Sequence, residues 1–579
     1  MKQYDYGAFM DVKNIWFISF ESKGIYKVGG LGEVAGSITQ ALAEKDLNVA
    51  LVMPSHGVVK DEKLRKSLQL EKVGFVRTYA YGIEYLISVY EGKLGKVKVY
   101  LISGGNENAE KILENPVVYA DGITEPKAAL LARTLDFLYD FSEWIPDIVH
   151  INDWHAVPAG IAIRQHTEAK GPPVPLLFQI HLYGGKYVSL DYLREFCGIN
   201  PEFEMNIWLE GEQREYTFKE IYDMSGGILE RIAAYISDVV ATVSESYLKK
   251  DEGNVLQCIG WHFEDKSTFI YNGCDWFYDK IIANILEKHG EKIREFIGIE
   301  DLSQLTRRHL RKYLLEKALG ELPESEPIIK DDYLADIVKR LRGPIVNEDG
   351  KTLAFGEEGP LVIITGRTST QKGLDTLIRS IPAVLDYYPN AKFLFLLLPV
   401  RGGERLIEEI FAEACKYSNS VRIVYGIVPY IYFLAHVAAT VYAAPSRWEP
   451  FGIMALESMA VGTPVAASRV GGLSETILDL REHGLNGTGL LVPKDNPEEL
   501  AKAITSLISL METENVDELR VLKEKIQYPE LKNLLSRDVG RKIRESCLKR
   551  IEDFRWIKIA DMAIKVYNIA INRRKRCKQ

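Results

Sequence analysis

Short apolar runs recur along the whole chain, and most of them lack polar alternation. Runs of this kind are typical of strands that are covered on both faces of a sheet. In the first half they predict strands at Ile15–Phe20, Val49–Pro54, Val97–Ile102, Ile148–Asn152, Pro175–His181, Val239–Ser244 and Thr268–Tyr271. In the second half they predict strands at Leu361–Thr365, Lys392–Leu398, Val421–Tyr425, Ala439–Ala444, Pro464–Ala467 and Gly489–Val492. Helical patterns lie between the strands, so each half is predicted to be an α/β domain with a doubly wound sheet.

The two series of strands predict two large domains. We assign residues 1–276 to the first domain and residues 277–545 to the second. The segment 279–351 is helical and charged and then loop-like, and we interpret it as part of the second domain or an insertion in it. Residues 546–579 are predicted to form a terminal helix that crosses back to the first domain. The basic run Arg573–Arg576 near its end is interpreted as a solvated tail.

The composition agrees with a globular protein and argues against several classes of partner. Of the 579 residues, 46% are hydrophobic and 26% are charged, which is ordinary for a soluble domain. The formal net charge of -9 argues against a nucleic-acid partner. Six scattered cysteines without a CxxC pair disfavour a disulfide framework or a zinc site and favour a reducing cytoplasm. No apolar segment is long enough for a signal core or a membrane span, so we predict a cytoplasmic protein without a membrane partner, either a monomer or a small homo-oligomer.

Two carboxylates stand eight residues apart in the stretch Pro445–Glu457. The predicted strand Ala439–Ala444 precedes them. Pro450 suits the first position of a helix, which would place Glu449 at the helix N-terminus and Glu457 about two turns inside. The loop would then lie at the carboxyl end of a parallel strand, where open α/β sheets bind ligands.

Three glycine-rich loops also connect a predicted strand to a helix. They are Lys27–Val34, Gly366–Gly373 and Ser468–Glu475. Glycines let backbone N–H groups approach a ligand closely, and a helix N-terminus favours an anion. In the second loop Arg367 and Lys372 bracket a helix start, a pair that suits a diphosphate. Each loop alone could equally be a tight turn with solvated cations.

Polar and aromatic residues follow two further predicted strands, in His150–His155 and Gln179–Gly185. The two histidines and the aspartate of the first stretch could suggest a metal site. Their spacings from a strand end do not converge easily on one ion, so we predict no metal. We interpret the polar side chains as ligands of sugar hydroxyls and the aromatic rings as stacking faces. The candidates are Asp153, His181, Trp154 and Tyr183.

Taken together, these motifs resemble the glycogen and starch synthases, which are retaining glucosyltransferases of the GT-B type. The motifs are KVGGLGEV, HINDWH, YNGCDW, GRTSTQKGLD and EPFGIMALE followed by a GG pair. The resemblance covers about Asn14 to Trp276 and Leu361 to Val566. It implies an α/β fold of two Rossmann-like doubly wound domains that face a central cleft and close about a hinge.

The resemblance also implies a role for each candidate residue. The catalytic residues would be Glu449, Arg367, Lys372 and His181. Glu449 would lie beside the transferred glucose, and the two cations would neutralise the departing diphosphate. The donor-binding residues would be Lys27, Gly29, Gly30, Glu457, Gly471, Gly472, Leu473 and Asn272. The acceptor-side residues would be Asp153, Trp154 and Tyr183.

Within the donor group, the resemblance assigns Glu457 to the ribose hydroxyls, and Gly471, Gly472 and Leu473 to backbone donation toward the phosphate and sugar. The donor would be UDP-glucose or ADP-glucose, and the acceptor an α-1,4-glucan. No cofactor is expected, and no metal is required because cationic side chains take the charge of the diphosphate.

Other functions remain open at this point. A related retaining transferase could form sucrose or trehalose instead, although the KVGGLGEV and HINDWH loops favour a glucan synthase. An inactive glucan-binding regulatory protein would be expected to lose the charged candidates, and all of them are present. A glycogen phosphorylase would need a lysine that binds pyridoxal phosphate in a motif of small residues, and the sequence has no such motif.

Overall fold

The structure divides between Gly273 and Cys274 and again between Arg555 and Trp556. The computed structural model describes residues 12–321, 327–513 and 519–576. Unit 1 holds the described chain up to Gly273 and from Trp556 onward, and unit 2 holds Cys274–Arg555. The sequence places these two divisions at residues 276 and 545. The outer limits of those assignments, residues 1–11 and 577–579, lie outside the described residues.

Unit 1 is built on a nine-stranded sheet with the order β11-β10-β7-β6-β1-β2-β5-β4-β3. Its strands are β1 (Asn14–Ile18), β2 (Asn48–Pro54), β3 (Glu71–Ala80), β4 (Ile83–Leu94), β5 (Val97–Gly104), β6 (Ile148–Asn152), β7 (Leu176–Ile180), β10 (Val239–Thr242) and β11 (Ser267–Phe269); β8 (Glu204–Leu209) and β9 (Glu212–Thr217) form a separate hairpin. Strand β1 pairs in parallel with both β2 and β6. The strand order therefore reverses between β1 and β6, and ligands of open α/β sheets bind at such a point.

All seven strands predicted for the first half are present, but the apolar runs missed four others. Strands β3 and β4 are antiparallel, so the sheet is mixed rather than parallel throughout. On β3, Phe75, Arg77 and Tyr79 are exposed while Thr78 and Ala80 are buried. A strand with one solvated face alternates in polarity and leaves no continuous apolar run. The polar hairpin β8–β9 was not predicted because its strands contain no continuous apolar run either.

Helices cover the core of unit 1. They are α1 (Gly30–Glu44), α2 (Glu62–Ser67), α3 (Glu107–Leu113), α4 (Thr124–Ala132), α5 (Leu135–Phe141), α6 (Val157–Lys170), α7 (Phe218–Ser225), α8 (Leu229–Ile236) and α9 (Val255–Ile259). Helix α1 shows how the pattern works, because Leu31, Val34, Ile38 and Leu42 recur at helical spacing and are all buried.

Unit 2 is built on a six-stranded sheet with the order β14-β13-β12-β15-β16-β17, parallel throughout. Its strands are β12 (Leu361–Arg367), β13 (Lys392–Leu398), β14 (Val421–Tyr425), β15 (Val441–Ala444), β16 (Val465–Ser468) and β17 (Gly489–Val492). All six strands predicted for the second half are confirmed. The strand order reverses between β12 and β15, which makes this the expected ligand position of unit 2.

The helices of unit 2 include those of the charged middle segment. They are α10 (Tyr278–Ile297), α11 (Arg307–Tyr313), α12 (Asp332–Lys339), α13 (Leu374–Leu385), α14 (Glu404–Cys415), α15 (Pro429–Ala438), α16 (Ile453–Ala460), α17 (Leu473–Thr476), α18 (Leu480–His483), α19 (Pro497–Met511), α20 (Leu519–Lys525) and α21 (Val539–Ile551). Arg307 donates to the carbonyl of Val437 (2.9 Å), and Arg311 bonds Glu512 (2.6 Å). The middle segment is therefore built into unit 2. No helix in the described part of the chain is long and apolar enough to span a bilayer.

The last helix, α22 (Trp556–Arg576), packs in unit 1. The Tyr567 hydroxyl lies 2.9 Å from Nδ1 of His150, and Arg574 pairs with the fully buried Asp238 at 2.6 Å. Arg573 donates to the carbonyl of the same Asp238. The interpretation of the basic run as a solvated tail is therefore wrong for these two arginines. A buried carboxylate needs a counter-charge, and α22 supplies it.

Candidate functional site

The loops that follow β12 and β15 lie on either side of the point where the strand order of unit 2 reverses. The first loop runs from the end of β12 to α13 and carries Lys372. The second runs from the end of β15 to α16 and carries Glu449. The sequence argument treated the two loops separately, and the sheet brings them side by side. The carboxyl ends of these strands are where an α/β sheet of this order binds its ligand.

Lys372 and Glu449 form a buried ion pair across these two loops. The ammonium nitrogen of Lys372 lies 2.5 Å from Oε2 of Glu449, and each side chain is 8% exposed. The Ser446 hydroxyl donates to the same Oε2 at 3.3 Å. Burying two charges costs free energy that their attraction only partly offsets. Such a pair is therefore weak evidence of a stabilising role and is typical of a site kept for its chemistry.

Arg447 fastens the two loops together, and the sequence analysis did not single it out. Its backbone N–H donates to the carbonyl of Gln371 (2.8 Å), while the Gln371 side chain donates to the carbonyl of Trp448 (3.0 Å). The guanidinium of Arg447 also pairs with Asp375 (2.8 Å) and Asp495 (2.7 Å). The loop that carries Lys372 and the loop that carries Glu449 are thus joined by hydrogen bonds from the backbone and the guanidinium of Arg447 and from the side chain of Gln371.

The helix after Glu449 begins later than predicted. Helix α16 starts at Ile453 and is preceded by Gly452, whose φ of 92° is left-handed. The prediction that Pro450 takes the first helical position is therefore wrong, because the chain makes a turn at Gly452 before it enters the helix. Glu449 precedes the helix on the loop, and Glu457 is about one turn inside it rather than two.

Glu457 and Arg367 lie in different surroundings within unit 2. Oε2 of Glu457 accepts a hydrogen bond from the Tyr432 hydroxyl at 2.6 Å. Burial, and then the charge of Glu457, hold the pKa of Tyr432 well above its usual value, so this hydroxyl stays a donor. Arg367 ends β12 and is exposed, and its guanidinium forms no hydrogen bond or ion pair with any residue that the structure describes.

In the turn Gly471–Leu473, the backbone N–H groups of Gly472 and Leu473 donate to carbonyl groups of the protein itself. The N–H of Gly472 donates to the carbonyl of Glu449 (3.1 Å), and the N–H of Leu473 donates to the carbonyl of Val470 (3.1 Å). The expectation that both groups donate to a phosphate or sugar does not match this geometry. The turn instead packs tightly against the loop of Glu449, since a Cβ on Gly472 would meet the backbone of Phe451.

In unit 1 the loop after β1 is organised by Glu21, a buried residue that the sequence analysis missed. Oε2 of Glu21 accepts the backbone N–H groups of Val28 (2.6 Å) and Gly29 (2.7 Å), and Oε1 accepts the Tyr119 hydroxyl (2.9 Å). The Gly29 N–H was expected to face the donor and is directed at this carboxylate instead. A polar residue just after a strand was the only sequence signal for Glu21.

The surroundings of Gly30 and Lys27 are compatible with the predicted donor-binding role. Gly30 is the first residue of α1, and a Cβ built on it would meet no atom within 4 Å, so this helix N-terminus is open. Lys27 is 45% exposed and pairs with Glu33 in the first turn of α1 at 2.5 Å. Glu33 also pairs with Lys23 at 2.7 Å. The ammonium of Lys27 is thus accessible but already has a carboxylate partner.

Asp153 and His181 meet at the ends of β6 and β7. Oδ1 of Asp153 accepts the backbone N–H groups of His181 (2.7 Å) and Leu182 (3.2 Å). Nε2 of His181 lies 2.9 Å from Oδ1 of Asn152, whose amide nitrogen donates to the carbonyl of Ile18. Because that Asn152 oxygen can only accept, Nε2 carries the proton and Nδ1 is an acceptor. Burial lowers the pKa of His181 to about 3, so the ring stays neutral.

Two of the predicted sugar ligands in unit 1 carry buried acceptors that no described residue satisfies. These atoms are Nδ1 of His181 and Oδ1 of Asn272. Buried polar atoms normally have a partner, so an unsatisfied one calls for an explanation, such as a ligand. Both residues lie at the carboxyl edge of the unit 1 sheet, after β7 and β11.

Tyr183, one of the two predicted stacking residues, lies on a loop that Glu230 fixes, whereas Trp154 follows β6. Oε1 of this buried glutamate accepts the backbone N–H groups of Gly184 and Gly185, each at 2.9 Å. Tyr183 is fixed by a hydrogen bond from its N–H to the Tyr247 hydroxyl (2.8 Å). The ammonium of Lys186 lies 5.2 Å from the ring centre of Trp154, so one side of that indole already faces a cation. Glu230 has no sequence signal of its own.

The two histidines considered as metal ligands are core residues. His150 bonds Tyr567, and the ring of His155 lies 4.5 Å from that of Phe20. Burial lowers the pKa of each histidine to about 3. Among residues 12–321, 327–513 and 519–576, no group of three or more His, Cys, Asp or Glu side chains is arranged to hold a metal ion.

Two family models match the chain, one in each unit. The model described as the starch synthase catalytic domain matches residues 14–253. The model described as glycosyl transferases group 1 matches residues 346–518. The loops of Glu21, Asp153 and His181 lie within the first match, and the loops of Lys372 and Glu449 lie within the second.

Known proteins resemble the chain over most of its length. The glycogen synthase of Thermosipho africanus is 24% identical over 575 residues, which are 96% of this chain and 99% of that protein. The granule-bound starch synthase 1 of Zea mays is 24% identical over 488 residues, which are 80% of this chain and 72% of that protein.

Solved structures share the fold. The catalytic domain of starch synthase IV from Arabidopsis thaliana, bound to ADP and acarbose, has a TM-score of 0.64 at 17% identity, covering 97% of this chain and 100% of that one. The sucrose-phosphate synthase of Thermosynechococcus elongatus has a TM-score of 0.51 at 17% identity, covering 96% and 98%. These likenesses establish the predicted α/β fold with two Rossmann-like domains.

Proposed function

Because the chain belongs to the glycogen and starch synthase family of glycosyltransferases, we propose that it transfers glucose from a nucleoside-diphosphate glucose to the non-reducing end of an α-1,4-glucan, with retention of configuration. The observation that carries the proposal is the buried pair of Lys372 and Glu449 at the ligand position of unit 2, with the unpartnered guanidinium of Arg367 at the end of β12. This arrangement supplies both signs of charge that the reaction needs.

The chemistry follows from how charge develops when the sugar–phosphate bond breaks. Negative charge builds on the departing diphosphate, and positive charge builds at the anomeric carbon. We assign Arg367 and Lys372 to the diphosphate and Glu449 to the glucosyl ring. The acceptor hydroxyl attacks from the face that the leaving group departs from, so configuration is retained. Glu457, which accepts a hydrogen bond from Tyr432, is assigned to the ribose hydroxyls.

The sugar-binding roles rest on the polar atoms of unit 1. The unsatisfied acceptors of His181 and Asn272 suit sugar hydroxyl donors. Gly30 at the open start of α1, with Lys27 and Gly29 beside it, is assigned to the donor. Gly471, Gly472 and Leu473 are retained as residues that shape the donor site by packing. Asp153, Trp154 and Tyr183 are assigned to the acceptor side.

We propose further that the reaction needs no cofactor or metal besides the nucleotide sugar, since Arg367 and Lys372 neutralise the charge of the diphosphate. The reaction is assigned to the cytoplasm. The described cysteines are free thiols, which suits a reducing compartment; Cys577 lies outside the described residues.

The test is release of nucleoside diphosphate in the presence of glycogen, with UDP-glucose and ADP-glucose as parallel donors. We expect release that depends on glycogen and lengthened glucan chains as the product. Release that requires a sugar phosphate or a small sugar instead of glycogen would favour a sucrose- or trehalose-forming transferase. Glycogen binding without any release from either donor would contradict the enzymatic proposal and favour a regulatory protein.

A further inference from the structure

A buried lysine on α4 has no part in the proposed reaction. The side chain of Lys127 is fully buried and forms no ion pair with any residue that the structure describes. Its ammonium nitrogen lies 2.8 Å from Nδ1 of His56, 2.6 Å from the carbonyl oxygen of Asn115 and 2.7 Å from that of Val117. Burial lowers the pKa of Lys127 to about 8, against the charge of Glu114, so the ammonium form predominates at neutral pH. Each of its three N–H groups therefore has an acceptor.

His56 connects this ammonium to the loop after β1. Nε2 of His56 lies 2.7 Å from the carbonyl oxygen of Phe20. Because a carbonyl can only accept, Nε2 carries the proton and Nδ1 accepts from the ammonium of Lys127. Burial and the charge of Lys127 lower the pKa of His56 to about 3, so the ring stays neutral. Phe20 directly precedes Glu21, the residue that organises the glycine-rich loop.

The segment that Lys127 holds also bonds the other end of that loop. The Tyr26 hydroxyl donates to the carbonyl of Pro116 at 2.7 Å, and Pro116 lies between the two residues whose carbonyls accept from Lys127. Burial raises the pKa of Tyr26, so its hydroxyl stays a donor. Tyr26 directly precedes Lys27, where the KVGGLGEV stretch begins. The loop after β1 is thus bonded to the surroundings of Lys127 at Phe20 and again at Tyr26.

This position is an unfavourable one for a positive charge. A buried ammonium without a carboxylate partner is destabilising, and a cation in the first turn of a helix opposes the helix dipole. Lys127 is the fourth residue of α4. His56 adds a further cost, because its backbone is left-handed with a φ of 50°, which is unfavourable in a residue with a side chain. Stability alone would favour an apolar side chain in place of the lysine.

We propose that Lys127 is a positioning residue, which holds the loop after β1 in the conformation that presents Lys27 and Gly30 to the nucleotide sugar. His56 and Tyr26 transmit its position to the two ends of that loop. The inference rests on the proposed function, because the donor site there includes Lys27 and Gly30. Lys127 itself does not contact the donor.

Lys266 offers a matched control with the same chemistry in the same unit. It is 2% exposed, and its ammonium donates to the carbonyls of Trp208 (2.8 Å), Tyr235 (3.1 Å) and Ser237 (3.0 Å). Burial lowers its pKa to about 7. Ser237 precedes β10 and Lys266 precedes β11, so these bonds lie at the amino edge of the sheet. The loop that Lys127 holds lies at the carboxyl edge.

The test compares Lys127→Met with Lys266→Met in the full-length chain. Methionine keeps much of the apolar stem and removes the ammonium, so both changes should lower the stability of unit 1. We expect the amide hydrogens of Val28 and Gly29 to exchange with solvent about 10-fold faster in Lys127→Met than in Lys266→Met, because the loop opens locally. We expect kcat/KM for the nucleotide sugar to fall about 10-fold or more in Lys127→Met alone, since groups that meet the donor are displaced. The KM for glycogen should be the same in both variants.

Equal exchange, or equal kcat/KM, in the two variants would overturn the inference, since both lysines would then serve only the stability of unit 1. If Lys127→Met does not fold, Tyr26→Phe decides the question, because it removes only the hydroxyl that donates to Pro116. This variant should speed exchange at Val28 and Gly29 and lower kcat/KM relative to the wild type, and wild-type values of both would overturn the inference. A wild-type chain without transfer from either donor would contradict the proposed function instead, and the exchange comparison would still show whether Lys127 holds the loop.

Discussion

The ammonium nitrogen of Lys372 lies 2.5 Å from Oε2 of Glu449, and only 8% of each side chain is exposed. The two residues come from loops that follow different strands, and their ion pair joins those loops. In the proposed reaction Lys372 contacts the negatively charged diphosphate, while Glu449 contacts the sugar, where positive charge develops. Changing either residue therefore changes the charge available to the other.

Replacing Glu449 by Gln should separate binding from chemistry. We expect transfer to fall about 100-fold or more, because a charge that stabilises the developing positive centre is lost. Affinity for the nucleoside diphosphate should be kept or increased, since the ammonium of Lys372 loses its carboxylate partner and becomes available to the phosphate. Calorimetric titration with UDP and ADP measures the affinity for the diphosphate, and a turnover assay measures transfer.

The control for this variant is Glu482→Gln. Glu482 also pairs with a cation, Arg469 at 3.1 Å, but its side chain is 59% exposed. It should leave both turnover and diphosphate affinity unchanged. A loss of diphosphate affinity as large as the loss of turnover in Glu449→Gln would argue against the assignment of Glu449 to the sugar.

Replacing Lys372 by Met should destabilise unit 2. The change leaves the Glu449 carboxylate buried without its counter-charge, which typically costs about 3–5 kcal/mol. We expect the double variant Lys372→Met, Glu449→Gln to recover part of that loss, because the orphaned charge is gone. Thermal unfolding of the wild type, both single variants and the double variant measures this coupling. A double variant no more stable than Lys372→Met would show that the pair is not coupled.

Arg447 should act on the rate through the positions of its neighbours. In Arg447→Lys the positive charge remains, but a single ammonium cannot reach Asp375, Asp495 and the facing loop together. We expect kcat to fall about 10- to 100-fold, the usual effect of displacing aligned catalytic groups, while the KM for glucan stays unchanged. Arg405→Lys is the matched control, because Arg405 pairs with Glu409 and is 91% exposed. Equal kcat values in the two variants would contradict a positioning role.

Much of the fold could be predicted from the sequence because buried parallel strands are continuous apolar runs. The same argument failed at β3, where Phe75, Arg77 and Tyr79 face solvent and the run is broken. It also could not show where a helix begins. Pro450 is compatible with a first helical position, but the left-handed turn at Gly452 decides the start of α16. A turn of this kind depends on what packs against it, and the sequence does not show that.

The candidate site was predicted in part. Lys372 and Glu449 follow strands that turned out to be neighbours, so their pairing follows from the strand order. Glu21 and Glu230 were missed because each accepts hydrogen bonds from backbone N–H groups, and such bonds leave no periodic pattern. The donors lie 7 and 8 residues from Glu21 in its own loop and 46 and 45 residues from Glu230. Glycine-rich turns indicate close approach but not what approaches, and in the case of Gly29 the partner is Glu21.

Replacing Glu21 by Met should release the glycine-rich loop after β1. The carboxylate accepts from three donors, and a methionine side chain of similar length offers them no oxygen acceptor. We expect the amide hydrogens of Val28 and Gly29 to exchange with solvent markedly faster, because both of their hydrogen bonds to Glu21 are lost. Tyr119→Phe is the matched control, since it removes one donor and keeps both backbone bonds. Unchanged protection of both amides in Glu21→Met would contradict this role.

Asp153 should make the stability of unit 1 depend on pH. Burial raises the pKa of Asp153 from 3.8 to about 7, although two backbone N–H groups oppose the shift. Between about pH 4, where the unfolded chain loses this proton, and pH 7, the folded chain holds one proton more. The free energy of unfolding therefore falls as the pH rises through this range and levels off above pH 7.

An Asp153→Asn variant cannot lose that proton, so its stability should decline less between pH 5 and pH 7. The difference expected from one shifted group over this range is about 2 kcal/mol. Thermal unfolding midpoints of the variant and the wild type across this range make the comparison. Asp61→Asn, which alters an exposed cap of α2, is the control and should follow the wild-type slope. If Asp153→Asn also follows the wild-type slope, Asp153 is ionised across the whole range and its burial does not govern its protonation.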